Sequence, residues 1–169
     1  MEYLKTNVDI SQLSNFKTKA YTKYYYEIND IWDLDNLSNI YNFCILNDLW
    51  FLIVWGWTNL LFAFDEFNWV IVKNNLEFFN YNETTKILEV WTSNSIREVS
   101  QKLEDVFNND LWHRFIWLPG SIWWAVFWNA WCFWLETENN FLSVEAYNFS
   151  TWKIEIITKD EVNFSYRNS

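Results

Sequence analysis

Phe115–Leu135 reads FIWLPGSIWWAVFWNAWCFWL. It holds six of the chain's fourteen tryptophans, one of its two glycines and its only proline. Pro119-Gly120 is a turn signal, and Asn129-Ala130 has the small, polar character of a loop. Yet indoles stand at 117, 123, 124, 128, 131 and 134, where a tight loop wants no side chain. With tryptophan read as glycine the stretch becomes FIGLPGSIGGAVFGNAGCFGL. That is a glycine-rich loop able to bring backbone N–H groups against a phosphate.

The same substitution resolves a second stretch. Leu52–Leu61 is LIVWGWTNLL as it stands and LIVGGGTNLL with glycine for tryptophan. An apolar strand running into three glycines and Thr-Asn is a strand followed by a phosphate-cradling turn. Together the two loops resemble the UDP-N-acetylmuramate dehydrogenase family (UDP-N-acetylenolpyruvoylglucosamine reductase, MurB). That family carries L-G-G-G-S-N before a short apolar run, then I-P-G-S-V-G-G-A followed by N-A-G-A-Y-G. Here Gly56, Asn59, Leu60, Pro119, Gly120, Ser121, Ala125, Asn129 and Ala130 match as they stand. The departures at 55, 57, 117, 123, 124, 131 and 134 all put tryptophan in place of glycine.

Composition points the same way. Glycine makes up 2 of 169 residues, against roughly 7% in an average protein. Counting the 14 tryptophans as glycine restores an ordinary content. We therefore expect a gene that reads UGA as glycine, translated with a table that reads UGA as tryptophan. A genuinely tryptophan-rich protein is the alternative, and the intact mass from the native host separates the two. The resembled family also has glycine at the position of Trp69, ahead of a strand, and a G-A-G-like turn at Trp91-Thr92-Ser93, and glycine would be natural in the turn at Trp152. Trp32, Trp50, Trp112 and Trp128 match no firm family glycine and stay open. In the chain as it stands, indoles around 55–57 and 117–134 are expected to crowd or to face outward.

Charge and cysteines narrow the class. Lys+Arg 12 against Asp+Glu 22 gives a net charge of −10, which argues against a basic nucleic-acid-binding surface. Cys44 and Cys132 are isolated thiols without pairing or metal spacing, as suits a reducing cytoplasm. Met1–Asn15 lacks the apolar core of a signal peptide. The apolar run 115–128 is too short to span a membrane and is interrupted by Pro119-Gly120. His113 is the only histidine, so no histidine-based triad or multi-histidine metal site can form. Asp65-Glu66 reads as a solvated acidic turn, and Tyr24-Tyr25-Tyr26 as strand core and edge.

Along the chain, residues 1–19 read as irregular. Tyr21–Ile28 reads as a strand, Asp33–Asn47 as a helix, and Phe51–Val54 and Val70–Lys73 as buried strands. Leu76–Tyr81 and Lys86–Val90 read as a hairpin around Asn82–Thr85. Ser95 with Glu98 is a capping box ahead of a helix with apolar positions at Ile96, Val99, Leu103, Val106 and Phe107. A short helix is expected from Ser121. Phe141–Phe149 and Ile154–Thr158 read as paired strands around a turn in which glycine would be natural at 152. The expected fold is α+β, without a doubly wound sheet. The resemblance implies an FAD-binding PCMH-type domain (the N-terminal part of MurB) with two small lobes, 1–75 and 76–169.

The family also supplies expectations for the site. FAD would be held at Val54, Trp55, Gly56, Trp57, Thr58, Asn59 and Leu60, and at Pro119, Gly120, Ser121, Ile122, Trp123, Trp124, Ala125 and Asn129. Backbone N–H groups of 55–59 and 120–125 would meet its pyrophosphate. In the family NADPH reduces the flavin, which passes a hydride to UDP-N-acetylenolpyruvoylglucosamine in peptidoglycan synthesis. Phe164-Ser165-Tyr166-Arg167-Asn168-Ser169 matches the family's F-x-Y-R-x-S, which makes Arg167, beside Tyr166, the catalytic arginine on the enolpyruvyl carboxylate. A guanidinium suits a two-point carboxylate contact. Glu136 matches an acidic position whose role the sequence does not define. The family's substrate-binding domain, with its proton-donating serine and its glutamate, has no counterpart here. The chain is thus expected to be an N-terminal fragment cut by a gene or contig boundary, a cytoplasmic monomer that is inactive alone. Two other readings are another oxidoreductase with the same FAD domain and a non-enzymatic carbohydrate-binding module using exposed indoles.

Overall fold

The computed structural model describes residues 1–55 and 60–169. The sequence reading of Gly56, Trp57, Thr58 and Asn59 falls outside the described residues. The chain divides into two compact units, Met1–Leu76 and Glu77–Ser169.

The first unit is built on a four-stranded sheet of β1 (Lys5–Asp9), β2 (Tyr21–Ile28), β3 (Trp50–Trp55) and β4 (Glu66–Asn74), in spatial order β1-β2-β4-β3. β4 lies between β2 and β3 and is parallel to both. A central parallel strand is covered on both faces, which favours an unbroken apolar run. Val70, Ile71 and Val72 are accordingly all fully buried. Ile71 packs with Ile10, Leu13, Ala20, Tyr25, Val54 and Phe62.

β1 runs antiparallel to β2, with Lys5 opposite Tyr25 and Asp9 opposite Tyr21. The sequence predicts an irregular segment here. The strand's side chains are nearly all exposed, so it has no apolar alternation to read. Its backbone ladder and the Lys5–Glu27 ion pair (2.5 Å) hold it.

The crossover from β2 to β3 also differs from expectation. Ile31–Asn36 is a 3-10 helix, and the α-helix α1 begins only at Leu37 and ends at Leu46. A capping box tightens this start: Trp32 N–H donates to Asp30 Oδ1 (3.1 Å), while Asn29 and Asp30 N–H donate to Asp33 Oδ2 (2.8 and 2.9 Å). Leu37, Ile40 and Cys44 then supply the buried face of α1.

The second unit pairs its strands locally. β5 (Phe79–Asn82) and β6 (Ile87–Val90) form the expected hairpin. α2 (Ile96–Phe107) follows, with Ser95 Oγ accepting from Glu98 N–H (3.3 Å) and Asn108 ending it in the left-handed region. Ile96, Val99, Ser100 and Leu103 are its buried positions, the three-four spacing that the sequence showed. Phe115, in a 3-10 turn at His113–Trp117, is fully buried against this helix with Ile122, Ala125 and Tyr81. After α3 (Ile122–Phe127) a two-residue-stranded hairpin pairs β7 (Trp131–Cys132) with β8 (Leu135–Glu136). β9 (Ser143–Asn148) and β10 (Lys153–Thr158) form the last hairpin, and a single turn, α4 (Lys159–Val162), leads to the C-terminal residues.

Tryptophan behaves unlike the other large apolar residues. Phe115, Ile40 and Ile71 are fully buried, but none of the described tryptophans is. Trp32, Trp50, Trp117, Trp128, Trp131 and Trp134 are exposed, Trp134 to 84%. The outward indoles expected around 117–134 are therefore present.

Candidate functional site

In the second unit the Pro119–Ser121 loop is clamped to the segment before α2. Ile96 N–H donates to Gly120 O (3.1 Å), Ile122 N–H to Asn94 O (2.9 Å) and Trp123 N–H to Thr92 O (2.8 Å). The two helix-capping serines, Ser95 and Ser121, lie opposite one another in an isolated antiparallel bridge. Gly120 has φ +131°, a conformation that requires glycine. Ser121 caps α3 as expected, its Oγ accepting from Trp124 N–H at 3.3 Å.

Two positions read as glycine lie in the left-handed region: Trp134 (φ 70°) and Trp152 (φ 57°). Phe133 (φ 48°) precedes Trp134. The β7–β8 loop thus has positive φ at both central residues, the pattern of a tight hairpin turn that prefers Asn-Gly. Bulky residues there are outliers. Trp123 and Trp124 are helical and Trp55 extended, so backbone conformation alone makes no glycine demand at those three.

The loop offers a pyrophosphate two N–H groups left unspent among the described residues, and the indole of Trp124 covers one side of the glycine that carries one of them. Of the six N–H groups at 120–125, Ile122 and Trp123 donate to the 92–94 segment, Trp124 to Ser121 Oγ and Ala125 to Ser121 O. Only Gly120 and Ser121 retain N–H groups without an acceptor among the described residues. A Cβ at Gly120 would lie 3.3 Å from Cε3 of Trp124; the indole covers that side of the glycine. In the first unit, Val54 is buried and Trp55 half-buried at the end of β3. Leu60, at the other end of the expected loop, is exposed, and its carbonyl accepts from Ser14 Oγ.

The chain's closing residues form a tight turn. Ser165 N–H donates to Asn168 O (3.0 Å) and Asn168 N–H to Ser165 O (3.2 Å), which leaves Tyr166 and Arg167 at the tip. Tyr166 is 84% exposed. Arg167 is exposed, sits at φ 58°, and has no ion pair or hydrogen-bond partner for its guanidinium among the described residues. A non-glycine residue held in this region is a local strain of the kind that collects at functional sites.

Sequence reasoning puts Asn129 among the flavin contacts. Its side chain is buried (3% exposed) and used internally. Asn129 Nδ2 donates to Glu136 Oε2 (3.1 Å) and to Ser165 O (3.3 Å), and Oδ1 accepts from Glu138 N–H (3.0 Å). Glu136, whose role the sequence does not define, also completes a capping box with Asn139.

Neither cysteine is a ready nucleophile. Burial raises the Cys44 thiol to about 11. Burial likewise raises that of Cys132, against a smaller lowering by Arg114. Thiolates are the reactive form, so both are quiet at neutral pH. His113 pairs with Glu104 (2.6 Å) at the surface. Among the described residues no cluster of His, Cys, Asp and Glu could hold a metal, and no helix is long and apolar enough to cross a membrane.

The α+β fold of this chain matches part of a longer solved structure. No family model matches the chain. A UDP-N-acetylenolpyruvoylglucosamine reductase from Chlamydia muridarum (strain MoPn / Nigg) is 23% identical over 166 residues, 98% of this chain and 54% of that protein. The crystal structure of UDP-N-acetylenolpyruvylglucosamine reductase (MurB) from Thermus caldophilus superposes with a TM-score of 0.70 at 14% identity. It covers 99% of this chain and 57% of that one. The chain thus spans about half the length of the relatives it matches. Both comparisons agree with the resemblance to the MurB family read from the motifs, and the structural one agrees with the expected α+β fold.

Proposed function

We propose that the chain is the N-terminal, FAD-binding part of a UDP-N-acetylenolpyruvoylglucosamine reductase of peptidoglycan synthesis. In this reading the units 1–76 and 77–169 are its two flavin-binding lobes. NADPH is the reductant, and the enzyme works as a cytoplasmic monomer. The observation that carries the reading is the second unit's arrangement: a Pro119-Gly120-Ser121 loop capping a short helix, with Tyr166-Arg167 presented on a tight turn.

The natural polypeptide, in this reading, carries glycine at the family-matched tryptophans. Glycine at 124 would uncover Gly120. Glycine at 134 and 152 would suit the positive φ that those backbones already adopt. Exposed indoles also offer a surface for sugars, but the 83° between the rings of Trp131 and Trp134 makes no flat platform beside the glycine-rich loop.

Two preparations test this. The chain with glycine at 55, 57, 69, 91, 117, 123, 124, 131, 134 and 152 is expected to retain FAD after gel filtration, seen as bound-flavin absorbance, while the tryptophan chain retains none. Equal retention by both would end the glycine reading. In the full-length enzyme, Arg167→Ala is expected to lower kcat by roughly a hundredfold or more with flavin content unchanged, since an interaction with developing charge is lost. Arg167→Lys restores only part of the rate, because an ammonium keeps the charge but not the two-pronged geometry. Normal turnover in Arg167→Ala would remove the arginine from the mechanism.

A further inference from the structure

The amide of Asn129 ties together three separate stretches of the second unit. These are the end of α3, the 131–138 segment and the terminal turn. Both of its donors are occupied, and its oxygen accepts as well. Both Nδ2 donors go to acceptors, Glu136 Oε2 and Ser165 O, and Oδ1 takes the Glu138 N–H. A side chain so spent has no donor left for a cofactor. Its own backbone sits at φ 41°, a region that asparagine tolerates better than most residues.

The Ser165 carbonyl is the part that matters. It belongs to the peptide that leads into Tyr166, and it also accepts from Asn168 N–H at 3.2 Å. Fixing that carbonyl fixes the plane from which the Tyr166-Arg167 tip departs. A second tie reaches the same helix end from beyond the turn, Ser169 Oγ donating to Phe127 O (3.1 Å). The turn is therefore fastened on both sides to the residues that end α3. The strained conformation of Arg167 needs such fastening, because an unfavourable φ persists only where the surroundings over-determine it.

We infer that Asn129 is a positioning residue for Arg167: through Ser165 O it sets the turn that carries the guanidinium, and it does not contact the flavin. The link to catalysis rests on the reductase reading above; the link to the turn does not.

The test uses a pair of substitutions. Asn129→Asp keeps the shape and the acceptor for Glu138 N–H but removes both donors and sets a carboxylate against Glu136. Adding Glu136→Gln relieves that repulsion and offers the introduced carboxylate a donor, while Ser165 O stays without the one it loses. In the 169-residue chain, amide hydrogen exchange is read at Glu138, Ser165 and Asn168. The double variant is expected to keep Glu138 protected and to speed Ser165 and Asn168 about tenfold by local opening. Unchanged exchange at Ser165 and Asn168 would overturn the assignment.

In the full-length enzyme the same double variant is expected to lose roughly ten- to a hundredfold in kcat, the scale of a small misplacement of a catalytic group, with bound FAD undiminished. Flavin lost in step with kcat would make Asn129 a cofactor residue instead. Absence of reductase activity in the unsubstituted enzyme would count against the proposed function, and the exchange result would still decide whether Asn129 holds the turn.

Discussion

Two hairpins of the second unit close through the same loop and fill it with different residues. In the first, Asn82 pairs with Ile87 across Glu83–Lys86; in the second, Asn148 pairs with Lys153 across Phe149–Trp152. In both, the fourth loop residue donates its N–H to the asparagine carbonyl, Lys86 at 2.8 Å and Trp152 at 2.7 Å. In both, the asparagine Oδ1 accepts from the loop backbone, from Thr84 and Thr85 N–H (3.0 Å each) and from Ser150 N–H (2.7 Å). And in both the fourth residue is left-handed, at φ 59° and 57°. The left-handed position is thus a property of the loop and not of the residue occupying it. Lysine tolerates it with its chain in solvent; tryptophan at the equivalent place, in a chain with almost no glycine, marks a site where the backbone asks for glycine.

The β7–β8 turn extends the comparison and gives the largest expected effect. Trp134 is left-handed and 84% exposed, so Trp134→Gly relieves strain and forfeits little beyond a single exposed edge contact with Trp131 (5.8 Å). A gain of about 1 kcal/mol is expected from the left-handed penalty less the added chain entropy, read by urea unfolding followed in the far ultraviolet. No gain would show that the turn relaxes around the indole. Lys86→Gly is expected to gain slightly less, about 0.5–1 kcal/mol on the same grounds. Trp152→Gly should gain only a few tenths of a kcal/mol, because the ring contacts with Phe149 (5.6 Å) and Tyr147 (6.3 Å) are lost and offset the relief. A Trp152→Gly gain equal to that of Lys86→Gly would mean those rings contribute nothing.

The smallest effect is in acid. Hydrogen bonds from Asn148 Nδ2 (2.9 Å) and Thr151 Oγ1 (2.7 Å) hold the Glu155 carboxyl below its usual value of 4.5. A lowered folded pKa gives stability that is present above the unfolded value and lost as pH falls through the folded one. The second hairpin should therefore loosen below about pH 4.5, detected as chemical-shift changes at Ser150 and Thr151. Glu155→Gln is expected to abolish that acid response; an unaltered response would assign it elsewhere.

The elements visible in the sequence are those with a repeat or a cap. α2 announces itself through Ser95, Glu98 and its three-four spacing, and the centre of β4 through three consecutive β-branched residues. The glycine demand at 152 is legible because turn chemistry fixes backbone sign before any packing is known; that at 134 is legible only through the family motif. β1 was not legible, since an exposed edge strand is held by its backbone ladder. β7 and β8 were not either, because two residues carry no periodicity. In the site, the Tyr166-Arg167 motif was visible and its place at a turn tip was not. The work of Asn129 was hidden for a plainer reason: Ser165 is thirty-six residues away, and nothing local marks the pair.

The sheet order of the first unit has a consequence for how the chain acquires its structure. Its central strand must find β2 from far along the sequence, Ile71 meeting Tyr25, whereas every ladder between named strands of the second unit joins neighbours across a short loop. Closing a long loop before any pairing rewards it slows assembly. The second unit, later in the sequence, is thus the one equipped to order first. Pulsed hydrogen exchange during refolding should find amides of 79–90 and 96–107 protected while those of 66–74 still exchange, so that the parallel sheet forms in a molecule whose other unit is already in place.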